Sequence, residues 1–170
     1  MINITNIPKI TINVIHEGKA EQKYIELLQG LYEGKIKIVC HGNDGNSGNV
    51  KKMKEKAKRI YENNIFFCYD VDDNKTKCEL NNDKHLISNR QFEYWLQLHL
   101  DKNNTELAHK IYTDIEKREL RKQMDSMFKN RLDTIKEVCE IEKTRQQNGI
   151  KYTNNFSTFY RLIDFIENMV

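Results

Sequence analysis

The chain has 170 residues, 38% hydrophobic and 31% charged, which allows one domain with a real core and leaves too little length for two comfortable ones. A net charge of only +3 sets it apart from the strongly basic proteins that coat nucleic acid, so any contact with a polyanion has to come from local clustering. No run approaches the ~20 apolar residues that span a bilayer, no N-terminal stretch reads as a signal peptide, and Cys40, Cys68, Cys78 and Cys139 form no CxxC pair; a reducing, cytoplasmic location is expected.

Ile10-Thr11-Ile12-Asn13-Val14-Ile15 is rich in β-branched residues and predicts a first strand. Tyr24, Leu27, Leu28 and Leu31 then recur at helical spacing, and Ile36-Lys37-Ile38-Val39-Cys40 reads as a second strand. After a Gly/Asn loop, Val50, Met53, Ala57 and Ile60 mark one face of a second helix. Ile65-Phe66-Phe67-Cys68-Tyr69 is a continuous apolar run, as expected of a central strand buried on both faces. Leu86-Ile87-Ser88 is a short fourth strand, and Phe92, Trp95, Leu96 and His99 begin another helix. This alternation predicts an α/β fold with a mainly parallel four-stranded sheet, whose ligands sit at the carboxyl ends of the strands. Beyond it there is no strand signal. Residues 106–146 read as one long or two broken helices dense in charge, and Gly149 marks a stop. Asn155 is placed to cap a last helix with Phe156, Phe159, Tyr160, Ile163 and Ile166 on its buried stripe. The organisation expected is an α/β core over 1–104 with a helical extension, 105–170, packed on it.

Glu17 follows the first strand directly, and Gly18 permits a tight turn that projects its carboxylate at the upper edge of the sheet. Asp70 and Asp72 follow the third strand, in Cys68-Tyr69-Asp70-Val71-Asp72-Asp73. In extended backbone such a pair points both carboxylates the same way, because side chains alternate with period two. If the first and third strands are neighbours, three carboxylates converge at one strand-end crevice. That is a hard-oxygen site, suited to Mg2+ or Mn2+ rather than zinc. Taken singly, each acid is also ordinary turn chemistry, and Glu21 reads as a first-turn acid favoured by the helix dipole.

Glu93 and His99 stand on the helix after the fourth strand, about 120° apart in projection at ~100° per residue. Both can flank the crevice, Glu93 as a second metal ligand and His99 as a phosphate contact or proton carrier. The competing role for His99 is an imidazole packed in the core against Trp95. The segment from Lys51 to Arg59 is the most basic, with Lys51, Lys52, Lys54 and Lys58 on the face opposite its apolar positions. It is either a solvated face or a track for nucleic-acid phosphates, and Lys19, close to Glu17, joins those lysines as a phosphate contact. The loop over 42–49 lacks the Gly-Lys-Ser/Thr ending of a P-loop and is not read as a nucleotide cradle.

Glu-Gly after the first strand and Asp-x-Asp after the third resemble the signature of Toprim proteins, and the closer likeness is to the RloB-like family. It rests on Glu17-Gly18-Lys19-Ala20-Glu21 followed by Tyr24, on Asp70-Val71-Asp72-Asp73, and on the stretch from Ser88-Asn89 through Phe92-Glu93 and Trp95 to His99. Asn155-Phe156-Ser157-Thr158 to Leu162 is similar to the family's closing helix. Ala20 stands where the family usually has Thr, and Arg90 where it usually has Pro. The resemblance implies a Toprim-like fold and a Mg2+-dependent nuclease that cleaves DNA or RNA, transfer RNA included, as an effector of antiphage defence. It implies Asp70 and Asp72 as metal ligands and Glu17 as ligand or general base, with Glu93 and His99 as further catalytic candidates. It also implies an ATPase partner encoded nearby, for which the charged helical segment is a docking surface, or a homodimerising one. The competing readings are a catalytically weak regulatory or nucleic-acid-binding subunit, and an α/β domain whose acids bind a small phosphorylated ligand.

Overall fold

The β-branched residues from Ile10 onward form β1 (Ile10–His16), whose last five residues are buried. The computed structural model describes residues 10–42, 50–71, 81–89, 91–103, 110–129, 132–149 and 155–170. After β1 come α1 (Lys19–Leu31), β2 (Ile36–Gly42), α2 (Val50–Ala57), β3 (Ile65–Val71), β4 (His85–Asn89) and α3 (Glu93–Leu100). The chain then continues through α4 (Asp114–Phe128), α5 (Leu132–Gln147) and α6 (Tyr160–Glu167). All four strands run parallel in the order β2-β1-β3-β4. β1 and β3 are therefore neighbours, with His16 opposite Cys68. This meets the condition on which the meeting of Glu17 and Asp70 depended.

Alternation along the strands divides the interior into two cores. Ile12, Val14, Phe66, Cys68 and Leu86 face one side, where Tyr24, Trp95, Met124, Val138 and Ile163 arrive from five helices. Ile15, Tyr69, Val71 and Ile87 face the other, beneath Met53 of α2 and Phe156. The helices after residue 110 thus share one continuous interior with the sheet. Tyr24 is its hub: its ring meets Phe92, Trp95, Phe128 and Phe159 edge-on at centroid distances of 4.7–6.3 Å. Each such pair adds ~0.5–1.5 kcal/mol beyond the area it buries.

Local chemistry sets the helix ends. Gly34, at φ +78°, turns the chain from α1 into β2, a conformation that favours glycine. The charged stretch is two helices rather than one. α4 opens on a capping box in which the Thr113 hydroxyl accepts the Glu116 N–H and Glu116 accepts the Thr113 N–H. Gly149, φ +81°, lies just past the end of α5.

The last segment departs from expectation. Asn155 does not cap α6, which starts after Phe159 with no side-chain cap; its amide donates to the Lys110 carbonyl instead. Residues 155–158 lie antiparallel along the outer edge of β4, with Asn89 N–H donating to Phe156 O and Thr158 N–H to Ile87 O, each at 2.8 Å. The reason is that β4 is an edge strand, and its unpaired backbone groups need partners. This pairing sends Phe156 to the α2 side of the sheet and leaves Phe159, Leu162, Ile163 and Ile166 as the buried stripe. Glu142, fully buried on α5, locks the segment by accepting the Ser157 N–H, the Tyr94 hydroxyl and the Arg145 guanidinium. Among the described residues no helix is long and apolar enough to cross a membrane.

Candidate functional site

Parallel pairing brings the carboxyl ends of β1 and β3 side by side. Glu17, the first residue past β1, reaches across to accept the backbone N–H of Asp70 at 3.3 Å. Asp70 is half-buried near the end of β3. Its carboxyl is pushed well above the usual carboxylate range, first by burial and then by the charges of Glu21, Glu93 and Glu17, against a hydrogen bond from the Phe92 backbone. Glu21, in the first turn of α1, is buried and is pushed up to about 7, chiefly by burial. A hydrogen bond with its own backbone opposes that, the charges of Glu93 and Glu17 add to it, and the Arg121 cation opposes it. Glu93, also buried, opens α3 and accepts a hydrogen bond from Arg121 Nη2 at 2.8 Å. Carboxylates from two strand ends and two helix N-termini are thus close enough to feel one another.

Gly18 is part of this construction. A Cβ there would stand 2.5 Å from Glu21 Oε2, so the glycine lets the carboxylate fold back over the turn. Repulsion among buried carboxylates favours protons, or a cation in their place, and an all-oxygen donor set suits a hard divalent ion. The donor chemistry therefore fits Mg2+ or Mn2+. Among the described residues, however, no three His, Cys, Asp or Glu side chains make a ready ligand set. Asp72, the acid that the sequence sets beside Asp70, lies outside the described residues.

His99 lies in the core between Trp95 and Tyr24. It is buried, its Nδ1 lies 2.8 Å from the Trp95 carbonyl and its Nε2 lies 3.0 Å from the Tyr24 hydroxyl. The carbonyl can only accept, so Nδ1 carries the proton and Nε2 accepts from Tyr24. Burial lowers its pKa to about 4, against the Trp95 hydrogen bond. Both nitrogens are engaged in a neutral core residue, the competing role weighed above. Lys19 is exposed at the start of α1. Lys51, Lys52 and Lys54 are exposed on α2 opposite buried Met53; Lys58, just past its end, pairs with Glu55 at 2.7 Å.

Glu21, Arg121 and His16 were not singled out for the site in the sequence. The place of Glu21 in Gly18-Lys19-Ala20-Glu21 is a signal, although the same position equally suits a first-turn dipole acid. Arg121 carried no signal, being one charge among many on α4. His16, beside Glu17, is buried; its Nδ1 has no hydrogen-bond partner among the described residues, and burial lowers its pKa against a backbone hydrogen bond with Gly18.

A family model described as RloB-like protein matches residues 12–166, a span that holds every acid named above. No curated protein and no solved structure matches the chain significantly.

Proposed function

The chain belongs to the RloB-like family, and from that premise we propose that it is a metal-dependent nuclease whose strand-end acids hold Mg2+ or Mn2+ against a nucleic-acid phosphodiester. The observation that carries this reading is the convergence of Glu17, Glu21, Asp70 and Glu93 at the strand ends, where burial first and then their mutual charges raise the pKa values of Asp70 and Glu21. A bound divalent ion would supply an activated water and neutralise charge on the reacting phosphate. Asp70 and Asp72 would hold it. Glu17 would either join them or take the proton from the attacking water, and its bond to the Asp70 N–H fixes it in place for either duty. Glu21 and Glu93 complete the negative wall. Exposed Lys19 and the α2 lysines would meet the flanking phosphates without reading sequence.

The resemblance to Toprim effectors of antiphage defence supports a two-component arrangement, in which an ATPase encoded nearby senses infection and this chain cuts. The purified protein, alone and with that neighbour, should be offered DNA, RNA and transfer RNA with Mg2+, with Mn2+ and with EDTA. Cutting should need the metal and should vanish in Asp70→Asn and Glu17→Gln while both variants stay folded. Full cutting in EDTA would end the metal reading. Metal binding without cutting under every condition would favour the regulatory subunit instead.

A further inference from the structure

The crevice has a problem that its acids create. A phosphodiester is an anion, and four carboxylates repel it; something besides the metal has to receive its outer oxygens. Arg121, in the middle of α4, is a cation beside these acids. Its guanidinium makes one hydrogen bond among the described residues, from Nη2 to Glu93 Oε1 at 2.8 Å, and its charge also acts on Glu21. The pair is lopsided: the Glu93 side chain is 5% exposed and the Arg121 side chain 50%. The carboxylate is sunk and the cation protrudes. A guanidinium carries five N–H donors in a planar fork, so one bond to Glu93 aims it and leaves the rest of the fork for another acceptor. α4 is fixed for the task by its capping box and by Leu120, Met124 and Phe128, all buried.

We propose that Arg121 binds the nonbridging oxygens of the substrate phosphate, with Glu93 as the buried anchor that orients it. This rests on the nuclease reading of the acid cluster and adds to it a residue from the helical half of the chain. In this arrangement Arg121 contacts the substrate directly, whereas a purely structural ion pair would only tie α4 to α3.

The test separates those two roles. Binding of a labelled RNA hairpin and of a DNA duplex is measured in EDTA across a salt series, and Mn2+ binding to the same proteins is measured separately by calorimetry. Arg121→Gln should weaken binding of the preferred probe about tenfold or more at low salt, since a hydrogen bond to a charged group is being lost. It should also remove about one from the slope of log Kd against log salt. Arg121→Lys should recover the slope but only part of the affinity, because an ammonium lacks the fork. Mn2+ affinity should hold or tighten as the competing cation leaves. Thermal melts check that both variants are folded. If wild-type protein binds a probe and Arg121→Gln matches it in affinity and slope, the proposal is overturned and the nuclease reading stands. If wild-type protein binds no probe the proposal falls, and if it binds no Mn2+ either the nuclease reading falls with it.

Discussion

Glu21→Gln tests the acid cluster without substrate, partner or activity. Glu21 is buried, and its carboxyl is pushed from an ordinary 4.5 up to about 7, first by burial and with added pressure from Glu93 and Glu17. Below pH 4.5 the carboxyl is protonated in folded and unfolded chains alike, so the substitution changes little. Between 4.5 and 7 the unfolded chain releases its proton while the folded chain keeps it, and stability falls as pH rises. Above 7 the folded chain carries the charge and the whole penalty, about 3 kcal/mol at ~1.4 kcal/mol per tenfold change in proton affinity. An amide in the same place is neutral at every pH but brings a new donor to satisfy, which costs about 1 kcal/mol. The variant should therefore be more stable than the natural chain by about 2 kcal/mol at pH 8 in EDTA, or about 4–8 °C in Tm. At pH 4.5 it should gain nothing. Urea titrations at the two pH values measure this, and adding Mg2+ should narrow the gap by stabilising the natural chain. A variant less stable at pH 8, or equally shifted at both pH values, would show that Glu21 carries no buried-charge penalty in the fold.

His99 has the opposite pH dependence. With its pKa at about 4, the folded chain refuses a proton that the unfolded chain accepts near 6.5, so this residue draws stability down as pH falls from 6.5 toward 4. Its nitrogen-15 resonances should report one neutral Nδ1–H tautomer from pH 8 to pH 5, and titration near 6.5 would return it to the list of proton carriers. Glu142→Gln should destabilise the fold by ~3–5 kcal/mol, because it leaves the Arg145 charge without its buried carboxylate; a loss under 1 kcal/mol in urea titration would refute the clamp. Neutralising Lys51, Lys52, Lys54 and Lys58 together should flatten the salt dependence of nucleic-acid binding and leave Mn2+ affinity unchanged; an unaltered slope would make α2 a solvated face.

What was legible in the chain was what local pattern controls. The β-branched run at Ile10 and the apolar run at Ile65 each declare a strand by their own composition, and Glu17 and Asp70 are located by being next to them. Whether those strands touch is a matter of sheet order, which no local window contains. Glu21 shows the limit sharply. As a first-turn acid it is ordinary; burial under the tertiary fold perturbs it first, and Glu93, arriving 72 residues later on α3, and Glu17 across the Gly18 turn add to that. The pairing of residues 155–158 with β4 was hidden for the same reason. Asn155 looks like a cap because Asn is a good cap, but the exposed edge of β4 offered the segment backbone partners that a helix start could not. His99 was undecidable from spacing; what decides it is a carbonyl on one side of the ring and a hydroxyl on the other.

These long-range dependencies point one way. The hub residue Tyr24 lies one turn after Glu21 and packs against Phe128 of α4 and Phe159 before α6. The anchor Glu93 begins the helix whose Tyr94 hydroxyl binds Glu142 of α5. The cation beside the acids, Arg121, comes from α4. Each acid in the crevice is thus braced, within a few residues, by a side chain contributed from beyond residue 110 or by a strand in contact with one. Carboxylates that repel one another stay together only if the scaffold beneath them is stiff enough to bear the repulsion. The helical half supplies that stiffness, and with Arg121 it also supplies the charge that the crevice lacks.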